Sequence, residues 1–133
     1  MHNINKDLPL SVSDTLLESF ALLLNDAKSN QVTINFRDPD YSAGAGGFHP
    51  VEVMLEKRGC EWHLCYITDF CYVGAGGQYE LAKELDFDFQ AGMFQSLFCY
   101  EPIEKARDMY QVWENNFLSY WKGMEVFEVM ISN

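Results

Sequence analysis

Basic residues are scarce in this chain: 9 lysines and arginines face 20 aspartates and glutamates, for a formal charge of −11. A summed field of that sign repels phosphate backbones and anionic lipid surfaces unless a local basic patch overrides it. The densest basic pair, Lys57-Arg58, falls at an expected hairpin tip and makes no such patch. Direct nucleic-acid binding and membrane binding are therefore not expected. Long apolar runs are missing too. The longest aliphatic and aromatic run covers residues 20–24, far short of the ~20 residues that cross a bilayer. The start, MHNINKDLPLSVSDTLL, has no basic leader followed by a continuous apolar stretch. A cytoplasmic protein is the expectation.

The cysteines lack metal and redox spacing. Cys60, Cys65, Cys71 and Cys99 include no C-x-x-C pair, which removes a zinc ribbon and a thioredoxin-like motif and leaves free thiols in a reducing compartment. No serine or cysteine stands in a G-x-S-x-G setting. Neither a metal nor a cofactor is expected from these motifs.

What the chain does have is a core. It is 48 % hydrophobic and 15 % aromatic over 133 residues, which separates it from disordered acidic chains. At this length folding buries roughly two-thirds of the unfolded surface, so one domain over residues 1–133 needs neither disulfides nor metal.

Periodicity lays out the elements. Leu16, Leu17, Phe20, Leu23, Leu24 and Ala27 predict a helix over residues 13–28, capped by Ser13 or by Thr15 with Glu18 in a capping box. QVTINFR, VEVMLEK and EWHLCYITDFCYV predict three strands, the second and third joined as an antiparallel hairpin. A short helix is expected over residues 79–84, and LDFDF reads as a fourth strand with one wet face. Pro102 suits the first position of a second helix, whose apolar stripe includes Ile103, Ala106, Tyr110, Trp113, Phe117 and Tyr120 and stops before Gly123. EVFEVMI is a fifth strand. The predicted fold is α+β: a mostly antiparallel five-stranded sheet with two main helices packed on one face.

The tetrapeptide GAGG occurs twice, at residues 44–47 and 74–77. Because strand three runs back along strand two, both loops are expected at one end of the sheet. Neither has the G-K-[ST] ending of a P-loop or the spacing of a dinucleotide fold, so they read as open loops and not as phosphate cradles. Asp38, Asp40 and Ser42 begin a calcium-loop pattern, which fails at Ala43 and His49. Asp38-Pro39-Asp40 is more simply a turn.

The loop end gathers Arg37, Asp38, Asp40, Tyr41 and His49 with Asp69, Tyr72 and Tyr79, and these are the candidate binding residues. Arg37 can hold Asp69 or Glu52 across the sheet, or receive a ligand carboxylate bidentately. His49 can be oriented by Asp38 or Asp69 as a general base. The acidic stretch holding Glu80, Glu84, Asp86 and Asp88 would place Asp86 and Asp88 on one strand face about 6.8 Å apart, the spacing of a phosphate track.

The blocks NFRDPDYSAGAGGFHPVEV, YITDFCYVG, ELDFDF and WENNFLSY together resemble a family of small bacterial proteins catalogued as a domain of unknown function. The resemblance implies a compact bacterial domain and brings no activity, cofactor or catalytic residue with it. The leading expectation from the residues is a non-enzymatic domain that meets a protein partner through its loop end, with Tyr41, Phe48, Tyr72 and Tyr79 as aromatic anchors. Two alternatives stand beside it: a small hydrolase-like enzyme using His49 with Asp38 or Asp69, and an acidic DNA-mimicking decoy. Homodimerisation through an edge strand is compatible with the sequence.

Overall fold

The structure, a computed structural model, describes residues 2–133. The elements are α1 (Asp14–Leu23), β1 (Gln31–Arg37), β2 (Val51–Arg58), β3 (Glu61–Ala75), β4 (Gln78–Asp88), β5 (Met93–Ser96), β6 (Tyr100–Pro102), α2 (Arg107–Leu118) and β7 (Glu128–Ser132). The strands form one sheet in the order β6-β5-β4-β3-β2-β1-β7, antiparallel at every junction.

The class is the expected α+β, but the sheet has seven strands and not five. The two additional strands, MFQS and YEP, are only 4 and 3 residues long, too short for alternation to announce them. Residues 79–84 are not a helix: they lie inside β4, paired with β3 from Ala75↔Gln78 to Tyr66↔Asp88. Cross-strand hydrogen bonding satisfies their backbone groups, and a six-residue helix has no comparable reward.

Helix boundaries follow local chemistry. Ser13, in extended backbone, accepts the Leu16 N–H at 3.2 Å and caps α1, which leaves Thr15 and Glu18 inside the helix. After Leu23 the chain tightens into one 3₁₀ turn, Leu24–Asp26, and stops short of residue 28. Pro102 closes β6 and precedes a second 3₁₀ turn, Ile103–Ala106, that leads into α2. Beyond α2 a wide π turn, Ser119–Gly123, and a left-handed Glu125 (φ 54°) delay the last strand until Glu128.

Both helices lie on the same face of the sheet. Leu16, Phe20 and Leu24 of α1 and Tyr110, Trp113 and Phe117 of α2 join Ile34, Phe36, Val53, Ile67, Phe87 and Phe94 in one core cluster. Phe36 meets Phe20 at 6.2 Å and Phe117 at 5.0 Å, and Phe87 meets Tyr110 at 5.0 Å, so the same sheet face touches both helices. Each such ring contributes roughly 2–3 kcal/mol by leaving water. No helix among the described residues is long and apolar enough to cross a membrane.

Two irregularities shape the loop end. β2 begins at Val51, opposite Asp69, while β3 runs on to Ala75, so the last part of β3 has β4 on one side and no strand on the other. The loop between β1 and β2 fills that edge: Phe70 donates its N–H to the Pro50 carbonyl at 2.9 Å, and Tyr72 donates its N–H to the Tyr41 hydroxyl at 3.2 Å. In the β3–β4 ladder, Asp69 pairs with Leu85 and Phe70 with Lys83. Glu84 is therefore the extra residue of a β-bulge, a device that re-aims a side chain out of the ladder's alternation.

Candidate functional site

His49, Asp69 and Glu84 converge beside α2. The His49 Nδ1 makes a hydrogen bond to Asp69 Oδ1 at 2.9 Å and an ion pair with Glu84 Oε2 at 2.6 Å. Asp69 reaches this position because it pairs with Val51 on the face that the helices cover. Its other oxygen, Oδ2, accepts the indole Nε1–H of Trp113 at 2.9 Å. The Asp69 side chain is 12 % exposed, against 37 % for His49 and 36 % for Glu84. Its hydrogen bond to Asp69 is the largest cause that raises the His49 pKa above the ordinary histidine value; the charges of Asp69 and Glu84 add to it, and partial burial opposes it.

Aromatic rings enclose the group. Tyr41 sits edge-on to the His49 ring at 5.5 Å and stacks on Tyr72 at 5.1 Å. Burial raises the Tyr41 phenol above its usual pKa, so it stays protonated while its oxygen accepts the Tyr72 amide. On the helix side a cavity of about 330 Å³ opens against His49 and Asp69, walled by Phe48, Trp113, Phe117, Tyr120 and Phe127, with Asn116 at its polar edge. Phe48 and Tyr120 meet across it at 4.7 Å.

Of the residues nominated from sequence, Tyr41, His49, Asp69 and Tyr72 come together here. The others do not. Asp38 organises the first glycine loop: its carboxylate accepts the N–H groups of Asp40 at 2.9 Å and Phe48 at 3.1 Å. Gly47 (φ 132°) passes so close that an added Cβ would stand 2.9 Å from Asp38 Oδ2. Asp38 is thus spent on the loop, and of the two aspartates it is Asp69 that meets His49. Asp40 is exposed in the turn. Arg37 follows the buried Phe36, so it points to the other face of the sheet; it lies across from Glu128 and makes no ion pair among the described residues.

Tyr79 is 50 % exposed on the far hairpin, opposite Gly74. That hairpin contains the second GAGG, whose Gly76 (φ 65°) and Gly77 (φ 81°) are the two central residues of the β3–β4 turn, as a primed two-residue turn requires. Both glycine segments lie at the same end of the sheet, but the second does not line the cavity.

Glu84 and Trp113 were not nominated from sequence as site residues. For Glu84 a signal existed: Tyr79, Leu81, Leu85, Phe87 and Phe89 alternate through the segment, which argues for a strand, although nothing in that pattern marks the bulge. Trp113 reads as part of an apolar helix stripe, and its N–H becomes functional only once α2 crosses Asp69.

A family model described as "Protein of unknown function (DUF2787)" matches residues 10–132. A conserved hypothetical protein from pathogenicity island VPI-2 of Vibrio cholerae, described as sharing structural homology with the human P32 protein, is 39 % identical. The match covers 96 % of this chain and 98 % of that one, with a TM-score of 0.85. A hypothetical protein from the VSP-II pathogenicity island of Vibrio cholerae is 35 % identical over 98 % of this chain and 100 % of that one, with a TM-score of 0.86. No curated protein matches the chain.

Proposed function

Because the chain belongs to the DUF2787 family, whose description assigns no activity, its role has to come from its own side chains, and we propose that it is a non-enzymatic interaction domain whose loop-end cavity receives an apolar side chain of a protein partner. The observation that carries this reading is the cavity wall: five aromatic side chains around about 330 Å³, with His49, Asp69 and Asn116 at its border. Apolar walls with a few convergent polar groups are the usual make-up of a recognition pocket, and aromatic anchors are enriched at interface centres.

Electrostatics favour binding over hydrolysis. The His49–Asp69 pair resembles the oriented base of a hydrolase, and in hydrolases that work through a covalent intermediate such a base activates an adjacent side-chain nucleophile. Cys71, the thiol that feels both Glu84 and Asp69, is raised above its usual pKa, first by burial and then by those carboxylates, the opposite of thiolate activation. The decoy reading needs the acidic residues gathered on one face. Glu52, Glu56, Asp86 and Asp88 share the open face of the sheet, but Asp14 and Glu18 of α1, Glu104 of the 3₁₀ turn and Asp108 of α2 belong to the helix-covered side, so the carboxylates are divided between two faces.

Photo-crosslinking tests the proposal. A photoreactive residue replacing the exposed Asn116 should capture one partner in the native cell, with the adduct on an apolar side chain, and Tyr120→Ala in the same chain should abolish capture. Capture that persists in the Tyr120→Ala variant, or that occurs only from a probe placed at Tyr79, would overturn it.

A further inference from the structure

We propose that His49, Asp69 and Glu84 form a binding site for a first-row divalent cation of the zinc class. This goes beyond the pocket reading and does not depend on it, since Glu84 is no part of the cavity wall. One donor atom from each of the three residues lies within 4.8 Å of the others. Those atoms come from three separate places, the β1–β2 loop, the middle of β3 and a bulge in β4, so their meeting is not a by-product of one acidic stretch.

The arrangement has a mismatch that a cation resolves. The Nδ1 of His49 carries at most one proton, yet it faces two carboxylate oxygens, at 2.9 and 2.6 Å. Even with His49 protonated, two carboxylates share one positive charge at a partly buried position. A divalent ion in place of that proton would balance both. Donors bound at ~2.1 Å to one tetrahedral ion stand roughly 3.4 Å apart, so the two separations at His49 need to open by less than about 1 Å and the two carboxylates, within 4.8 Å of each other, need to close by at most about 1.4 Å, within reach of the partly exposed His49 and Glu84 side chains.

The surroundings have the form of a metal ligand shell. Trp113 holds Asp69 Oδ2 and aims Oδ1 at the imidazole, the kind of outer hydrogen bond that orients a ligating carboxylate. One imidazole nitrogen with two carboxylate oxygens suits zinc and its neighbours better than magnesium or calcium, which prefer all-oxygen sets. Three protein donors leave a fourth position for water or for a donor group entering the adjoining cavity.

The test is zinc competition against a chromogenic chelator, using the full chain with its exposed thiols removed as Cys60→Ser and Cys99→Ser. The expected result is one zinc per chain, weakened at least ~10-fold by His49→Ala and by Glu84→Gln and about 10-fold by Trp113→Phe, the loss typical of a missing outer partner. Calcium should not compete. Glu84→Gln, at a residue outside the cavity wall, should weaken zinc binding and leave partner capture from position 116 intact, which separates this proposal from the partner pocket. On the unmutated ligand set, zinc should move the ring resonances of His49 and leave those of His63 in place. Absence of saturable uptake, uptake unaffected by His49→Ala, or shifts at a different histidine would each overturn it.

Discussion

The indole Nε1–H of Trp113 donates to Asp69 Oδ2 at 2.9 Å, fastening the middle of α2 to the point of β3 where the loop-end cavity begins. Both residues are buried at 8 % exposure, so neither polar group is bathed by bulk water. Trp113→Phe keeps most of the apolar packing and leaves a buried carboxylate oxygen without a partner. The expected cost is about 2–3 kcal/mol, read as a lower urea midpoint with an unchanged slope.

The pH dependence of the metal-free protein follows from His49. Its folded pKa is raised, chiefly by Asp69, above an unfolded value of ~6.5. The stabilisation it brings is therefore complete below about pH 6.5 and is lost as pH climbs through the raised folded value. Denaturation midpoints should fall over that interval in the native chain and stay flatter in His49→Ala. Glu84→Gln should lower the His49 titration midpoint, followed by its ring resonances.

The two GAGG tetrapeptides should respond differently to the same substitution. An alanine Cβ at Gly74 (φ 136°) would collide with the Gln78 carbonyl oxygen, whereas at Gly44 it meets nothing within 4 Å. Gly74→Ala should destabilise the hairpin by upwards of ~1 kcal/mol, seen as faster amide exchange from Val73 to Glu80. Gly44→Ala should stay within about 0.5 kcal/mol of the native chain.

Glu114 is 3 % exposed, and its Oε1 accepts both the Ser13 N–H and the Tyr110 hydroxyl at 2.9 Å. This one carboxylate joins the start of α1 to α2 and, with burial as the larger cause, pushes the Tyr110 phenol well above its usual range. Glu114→Ala leaves a buried hydroxyl and a part-buried N–H unpaired and should cost about 2–3 kcal/mol, with calorimetry showing a single earlier transition.

Much of the fold was legible because it is written in local periods. Alternation in Gln31–Arg37 and Val51–Arg58, the Ser13 cap and the apolar stripe of α2 each reflect an element burying one face. Residues 79–84 misled because a short stretch containing Leu81, Ala82 and Lys83 has helical propensity, and propensity yields to pairing when a partner strand lies alongside. β5 and β6 are held by neighbours and not by any pattern of their own.

The site divides along the same line. The amino-acid order determined that a histidine and its flanking aromatics would sit in the loop before β2, and that hairpin connectivity would bring the end of β3 to the same edge of the sheet. Only tertiary structure chose Asp69 over Asp38 as the partner of His49, brought Glu84 to it through a bulge, and set the Trp113 indole against Asp69. Those choices join residues 49, 69, 84 and 113 through one extra residue in a ladder and the seating of a helix on a sheet. Such events minimise buried, unpaired polar groups over the whole molecule, a condition that no short window of sequence contains.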